Sequence, residues 1–116
     1  MGKEEALLEN VMEFITEARA AKERGSYNSA TTLFFKALAV LIDYHLLKQE
    51  GFIPSNHSER FKLLKEKYLI LYRILDKDFP LYQNSYRLKM TPSTVEVLEN
   101  DVNKIASIIK IKIDTC

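Results

Sequence analysis

Ala20-Ala21-Lys22-Glu23-Arg24-Gly25-Ser26-Tyr27-Asn28-Ser29-Ala30 joins two amphipathic stretches and decides how the chain folds. Gly25 can take the left-handed conformation that ends a helix without a Cβ clash. Ser26 or Asn28 then offers a side-chain oxygen to the free N–H groups of the helix that follows. These residues predict a helical hairpin near the N-terminus.

Upstream of the turn, Leu7, Leu8, Val11, Phe14, Ile15, Ala18 and Ala21 recur at steps of three and four, the apolar stripe of a first helix from Glu4 to Arg24. Downstream, Ala30, Leu33, Phe34, Ala37, Leu38, Leu41, Ile42 and His45 form a broad face that Leu46 and Leu47 thicken, so the second helix is expected to be the most buried. Gly51 stops it. After the turn Phe52-Ile53-Pro54-Ser55, Asn56 is placed to cap a third helix and Glu59 completes a capping box. That helix is expected from about His57 to Leu75, with Phe61, Leu64, Tyr68, Leu71 and Leu75 inward and Lys62, Lys65, Glu66 and Arg73 outward. Pro80 lacks the N–H that a helix interior needs but suits a first turn, which predicts a break and a short fourth helix from about Pro80 to Lys89. Thr91-Pro92-Ser93 opens the last helix, where Ser93 and Glu96 have capping-box spacing and Val95, Leu98, Val102, Ile105, Ile109 and Ile113 repeat almost as heptads.

No segment alternates as a strand with hairpin turn residues, and no repeat of fixed period runs through the chain. The expected fold is all-α: an up-and-down bundle of four long helices plus one short helix, forming a single domain over residues 1–116. Hydrophobic residues make up 47% and charged residues 28%, which argues against disorder, and no apolar run approaches the roughly 20 residues of a membrane span. The N-terminus turns acidic at once, so export is not expected and the chain is placed in the cytoplasm, away from membranes. Cys116 is the single cysteine and the last residue, excluding an internal disulfide and a cysteine cluster for zinc. A formal charge of +1 advertises no global field for nucleic acid, so any basic site must be local.

Histidine is the commonest general base near neutral pH, and two are present. His45 falls late on the apolar face of the second helix, where a core-edge role is the ordinary reading. His57 opens the third helix in Asn56-His57-Ser58-Glu59, where a capping turn is the plainer reading, and is the better functional candidate of the pair. Converging metal-ligand patterns are missing, and neither a metal nor a cofactor is implied. Gly2, Gly25 and Gly51 stand apart, so there is no phosphate-cradling loop, and no nucleophile elbow is present. What remains is basic and aromatic. Between His57 and Arg73 the cations Arg60, Lys62, Lys65, Lys67 and Arg73 outnumber Glu59 and Glu66, with Tyr68 and Tyr72 interleaved; Tyr82, Tyr86, Arg87 and Lys89 follow. Rings that stack bases beside cations that hold phosphates are what RNA binding uses, whereas a solvated lysine face over packed tyrosines is the plain alternative.

The Ala-Lys-x-Arg-Gly-Ser-Tyr-x-x-Ala end of the first helix, Phe34-Phe35-Lys36-Ala37 in the second and the Asn56-His57-Ser58 entry to the third together resemble the HEPN domain family. The resemblance spans nearly the whole chain in helix order. It implies an α-helical bundle, commonly a homodimer, often encoded beside a nucleotidyltransferase partner as toxin and antitoxin. Active members are metal-independent ribonucleases with an arginine followed, after four to six residues, by a histidine. By resemblance Arg87 stands at the arginine position, but Pro92, Ser93 and Thr94 fill the window in which the histidine is expected. The resemblance therefore implies an inactive relative that binds a protein partner such as the nucleotidyltransferase, nucleotide or RNA through Arg87, Lys89 and Tyr86 near a dimer cleft; Arg60, Lys62 and Lys65 of the basic stretch are further candidate nucleotide or RNA contacts.

Two other readings stand beside it. One is a metal-independent ribonuclease with a noncanonical Arg87 and His57 pair. The other is a helical protein-interaction module of the tetratricopeptide or microtubule-interacting type, which shares the Gly-x-Tyr-x-x-Ala turn. A homodimer is also expected from the final helix, whose Ile105, Ile108, Ile109, Ile111 and Ile113 exceed one narrow stripe.

Overall fold

A computed structural model describes residues 2–113, so the expectation about Cys116 lies outside the described residues. Five helices follow in order, α1 (Lys3–Glu23), α2 (Tyr27–Glu50), α3 (His57–Lys67), α4 (Leu69–Asn84) and α5 (Pro92–Ile108), with no strand among the described residues. The bundle is all-α, four longer helices and a short one.

The turn at Gly25 closes α1 as predicted. Gly25 has φ +78°, its N–H bonds to Lys22 O at 3.1 Å and the Ser26 N–H to Ala21 O at 2.8 Å, the paired closure of a Schellman motif. Neither expected cap of α2 acts as one. Ser26 makes no side-chain capping bond. Asn28 turns instead to the α4–α5 connection, where its amide donates to Ser85 O at 2.8 Å and Leu88 O at 2.6 Å and its oxygen accepts from the Met90 N–H at 3.0 Å.

Helix α2 is the hub, packed on α1, α4 and α5. Phe34, Phe35, Leu38, Leu41, Ile42 and Leu46 are fully buried, each contributing about 1.5–3 kcal/mol through burial of apolar surface. By length and composition α2 could cross a membrane, which the reading of apolar runs missed, but 67% of its most apolar stretch is buried in the bundle. Arg19 and Lys22 of α1 both reach Glu99 of α5, at 3.2 and 2.6 Å, tying the outer helices across the hub.

Three boundaries differ from expectation. The chain breaks at Tyr68 rather than near Pro80: Tyr68 leaves helical geometry at φ −133° and ψ 64°, and its hydroxyl donates to Glu50 of α2 at 2.6 Å. Pro80 lies inside α4 on its exposed side, so its ring is accommodated without displacing the core. Thr91, not Ser93, caps α5 by accepting from the Thr94 N–H at 3.3 Å, with Pro92 at the first helical position. At its far end α5 stops at Ile108, because Lys110 adopts φ +62° and the Ile111 N–H bonds back to Ala106 O at 2.9 Å. Ile111 and Ile113 then pack against the core, which absorbs much of the apolar excess read as a dimer face.

Candidate functional site

The capping box at the start of α3 forms: Asn56 accepts from the Glu59 N–H at 2.9 Å, while Glu59 accepts from the Ser55 N–H at 3.1 Å. It orients the first turn of α3, where His57 and Arg60 stand three residues apart on one face. Opposite, Lys36, Ala39, Val40 and Asp43 share one face of α2. The Arg60 guanidinium meets the Asp43 carboxylate side-on, Nε donating to Oδ1 at 2.6 Å and Nη2 to Oδ2 at 2.8 Å. Both residues are nearly enclosed, at 8% and 7% exposure, so the pair is strong and orientationally specific. The third guanidinium nitrogen, Nη1, lies 2.8 Å from His57 Nδ1.

Above this chain of polar groups is a cavity of about 250 Å³ at the junction of four helices. Phe14 of α1, Lys36, Ala39 and Val40 of α2 and Tyr82 of α4 wall it, over Asp43, His57 and Arg60. Phe35 backs the wall, stacked on Tyr82 at 4.5 Å with the rings 15° from parallel. His57 packs on Phe79 at 5.1 Å between ring centroids and on Phe35 at 6.3 Å. Burial pulls the His57 pKa below its ordinary value, Arg60 pulls it down further, and Asp43 opposes both. The imidazole is therefore neutral at neutral pH. Lys36 is exposed and has no ion-pair or hydrogen-bond partner among the described residues. The guanidinium and carboxylate cancel, so the pocket's excess charge is the single Lys36 cation.

The residues singled out by sequence do not converge on one site. Arg60 is a buried structural cation with each guanidinium nitrogen engaged, two on Asp43 and one on His57, rather than a free phosphate contact. Lys62 and Lys65 lie exposed on α3, and Lys65 Nζ sits 6.0 Å over the Tyr72 ring. Tyr86, 70% exposed, exchanges a 2.8 Å hydroxyl contact with Tyr82 at the pocket wall. Arg87 lines a separate concavity with Gln83, Asn84 and Tyr86, and Lys89 lines another with residues 25–29 and Met90. His57 thus lies with Arg60 while Arg87 lies elsewhere. His45 is outside the pocket, edge-on to Tyr68 at 5.6 Å. Tyr82 was named among the basic and aromatic residues, whereas Asp43, Lys36 and Phe14 escaped the reading as site residues. Asp43 had a signal: it is the sole Asp, Glu, Lys or Arg from Ala37 to Leu47, and a lone acid on so apolar a helix needs a buried partner.

Among the described residues no three His, Cys, Asp or Glu side chains gather into a metal-binding group. The arrangement is a small pocket in an all-α bundle, with one unpaired cation among the described residues, aromatic walls and a neutral histidine. No family model, curated protein or solved structure matches this chain. The HEPN resemblance therefore rests on the motifs quoted above.

Proposed function

We propose that this chain is a non-catalytic helical module, HEPN-like in its motifs, that holds a nucleotide, free or within an RNA strand, in the pocket over Asp43, Arg60 and His57. The observation that carries this reading is the unpaired Lys36 on a pocket whose other two charges cancel each other. A phosphate suits that cation, and a planar base suits the apolar walls of Phe14, Val40 and Tyr82. The cavity, about 250 Å³, falls just below the roughly 300–1,000 Å³ of typical small-molecule sites, which favours one small planar group over an extended ligand. Cleavage finds little support: Arg60 has two nitrogens on Asp43, so its fork is not free to clamp a scissile phosphate, and Arg87 lines a different concavity. The motif resemblance adds a nucleotidyltransferase as protein partner in a toxin-antitoxin type system and pairing with a second copy, which copurification and sedimentation test directly.

Calorimetric titration with adenosine monophosphate and with the dinucleotide ApA tests the reading. Both are expected to bind, more weakly as salt rises, and Lys36→Ala is expected to cost about tenfold in affinity and to weaken that salt dependence. RNA is expected to remain intact on long incubation with chelator. Failure of every nucleotide to bind at millimolar concentration, or metal-free cleavage, overturns the proposal.

A further inference from the structure

We infer that Arg60 is a positioning residue that locks His57 in the neutral tautomer with its proton on Nε2, so that the pocket meets its ligand with a fixed N–H donor and selects a planar anion carrying an acceptor there. For the ligand this rests on the nucleotide reading; for the tautomer it stands alone. A guanidinium has five N–H donors and no acceptor, so the 2.8 Å approach of Arg60 Nη1 to His57 Nδ1 is a hydrogen bond only if Nδ1 supplies the lone pair. A neutral imidazole has one lone pair and one N–H, so the proton must sit on Nε2. The imidazolium would set N–H against N–H and place a second positive charge beside Arg60. Nor can the guanidinium rotate to relieve that clash, because two of its nitrogens are held by Asp43.

His57 Nε2 has no partner among the described residues, and the ring lines the cavity. The charged or titratable groups around it are Asp43 and Lys36 from α2, Arg60 from its own helix and Tyr82 from α4; Phe35 and Phe79 complete its surroundings. With one nitrogen engaged and the other protonated, His57 offers no free lone pair. It is a donor rather than a base, and its donor role persists through the neutral pH range.

Nitrogen-15 spectroscopy of the imidazole in the full chain reads the tautomer directly, with His57→Phe identifying which histidine gives which signal. The expected result is an Nε2-protonated, Nδ1-unprotonated His57 from about pH 7 to about pH 8. ApA affinity is expected to stay level over the same range, since a phosphodiester does not titrate there, and His57→Phe, which keeps the ring but loses the donor, is expected to weaken binding by about fivefold or more. Arg60→Met combined with Asp43→Leu removes both buried charges together and is expected to shift the spectrum toward a mixture of tautomers. A His57 protonated on Nδ1, or one that is imidazolium at about pH 7 with affinity rising in step, overturns the inference. ApA failing to bind while the Nε2–H tautomer is seen sinks the nucleotide reading and the ligand claim, and leaves the tautomer standing.

Discussion

Lys110 and Gly25 occupy the same left-handed position at the ends of α5 and α1, with φ +62° and +78°. Only the glycine does so without a Cβ clash against the following carbonyl. Lys110→Gly is therefore expected to raise stability by about 1 kcal/mol, read as a higher urea midpoint with unchanged slope. Asn28 makes the opposite case, a residue whose local reading as a helix cap hides a longer-range task. Its three bonds to residues 85, 88 and 90 hold the α4–α5 connection against the start of α2. Asn28→Ala is expected to cost about 2–3 kcal/mol and to speed amide exchange at Met90.

Between elements, hydrogen bonds and burial overrode local propensity. Proline argued for a break at Pro80, yet the chain bends at Tyr68, whose hydroxyl is held by Glu50; burial and that carboxylate together push the tyrosine pKa up to about 12. Helix α4 carries the buried Asp78, whose Oδ1 accepts from Lys77 at 2.9 Å while the same ammonium reaches Asp101 of α5 at 2.6 Å. Among the described residues no N–H or hydroxyl donor reaches its second oxygen, and burial, followed by a hydrogen bond that the protonated carboxyl makes with Asp101, pushes the carboxyl from 3.8 up to about 7. An acid raised in this way takes up a proton on folding between its unfolded and folded pKa values, so its share of stability is lost as pH rises through that window. Asp78→Asn is expected to flatten the decline of stability between about pH 4 and about pH 7 and to stabilise the protein at pH 8 by about 1–3 kcal/mol, measured by urea denaturation across pH.

At the scale of the molecule, the pocket exists because four helices meet at it, and the Asp43–Arg60 pair is a buried polar clasp between α2 and α3 at its floor. Removing one partner strands a buried charge, whereas removing both leaves an apolar seam. Arg60→Met is expected to cost about 3–5 kcal/mol and the double change with Asp43→Leu far less, a contrast that thermal melts of the two variants resolve.

By itself the sequence determined the elements whose cause is local. The Gly25 turn, the apolar faces of α1 and α2, and the Asn56 box were legible because glycine conformation, a 3.6-residue period and cap spacing act within a few residues of chain. The break at Tyr68, the clamp made by Asn28 and the seating of His57 on Arg60 rather than beside Arg87 were decided only in three dimensions. Each depends on partners 3 to 62 residues away whose direction is set by helix packing. Even the three-residue contact of His57 with Arg60 takes its meaning from Asp43 on another helix, since a side chain's role follows from what its hydrogen bonds reach, and hydrogen bonds reach across space rather than along sequence.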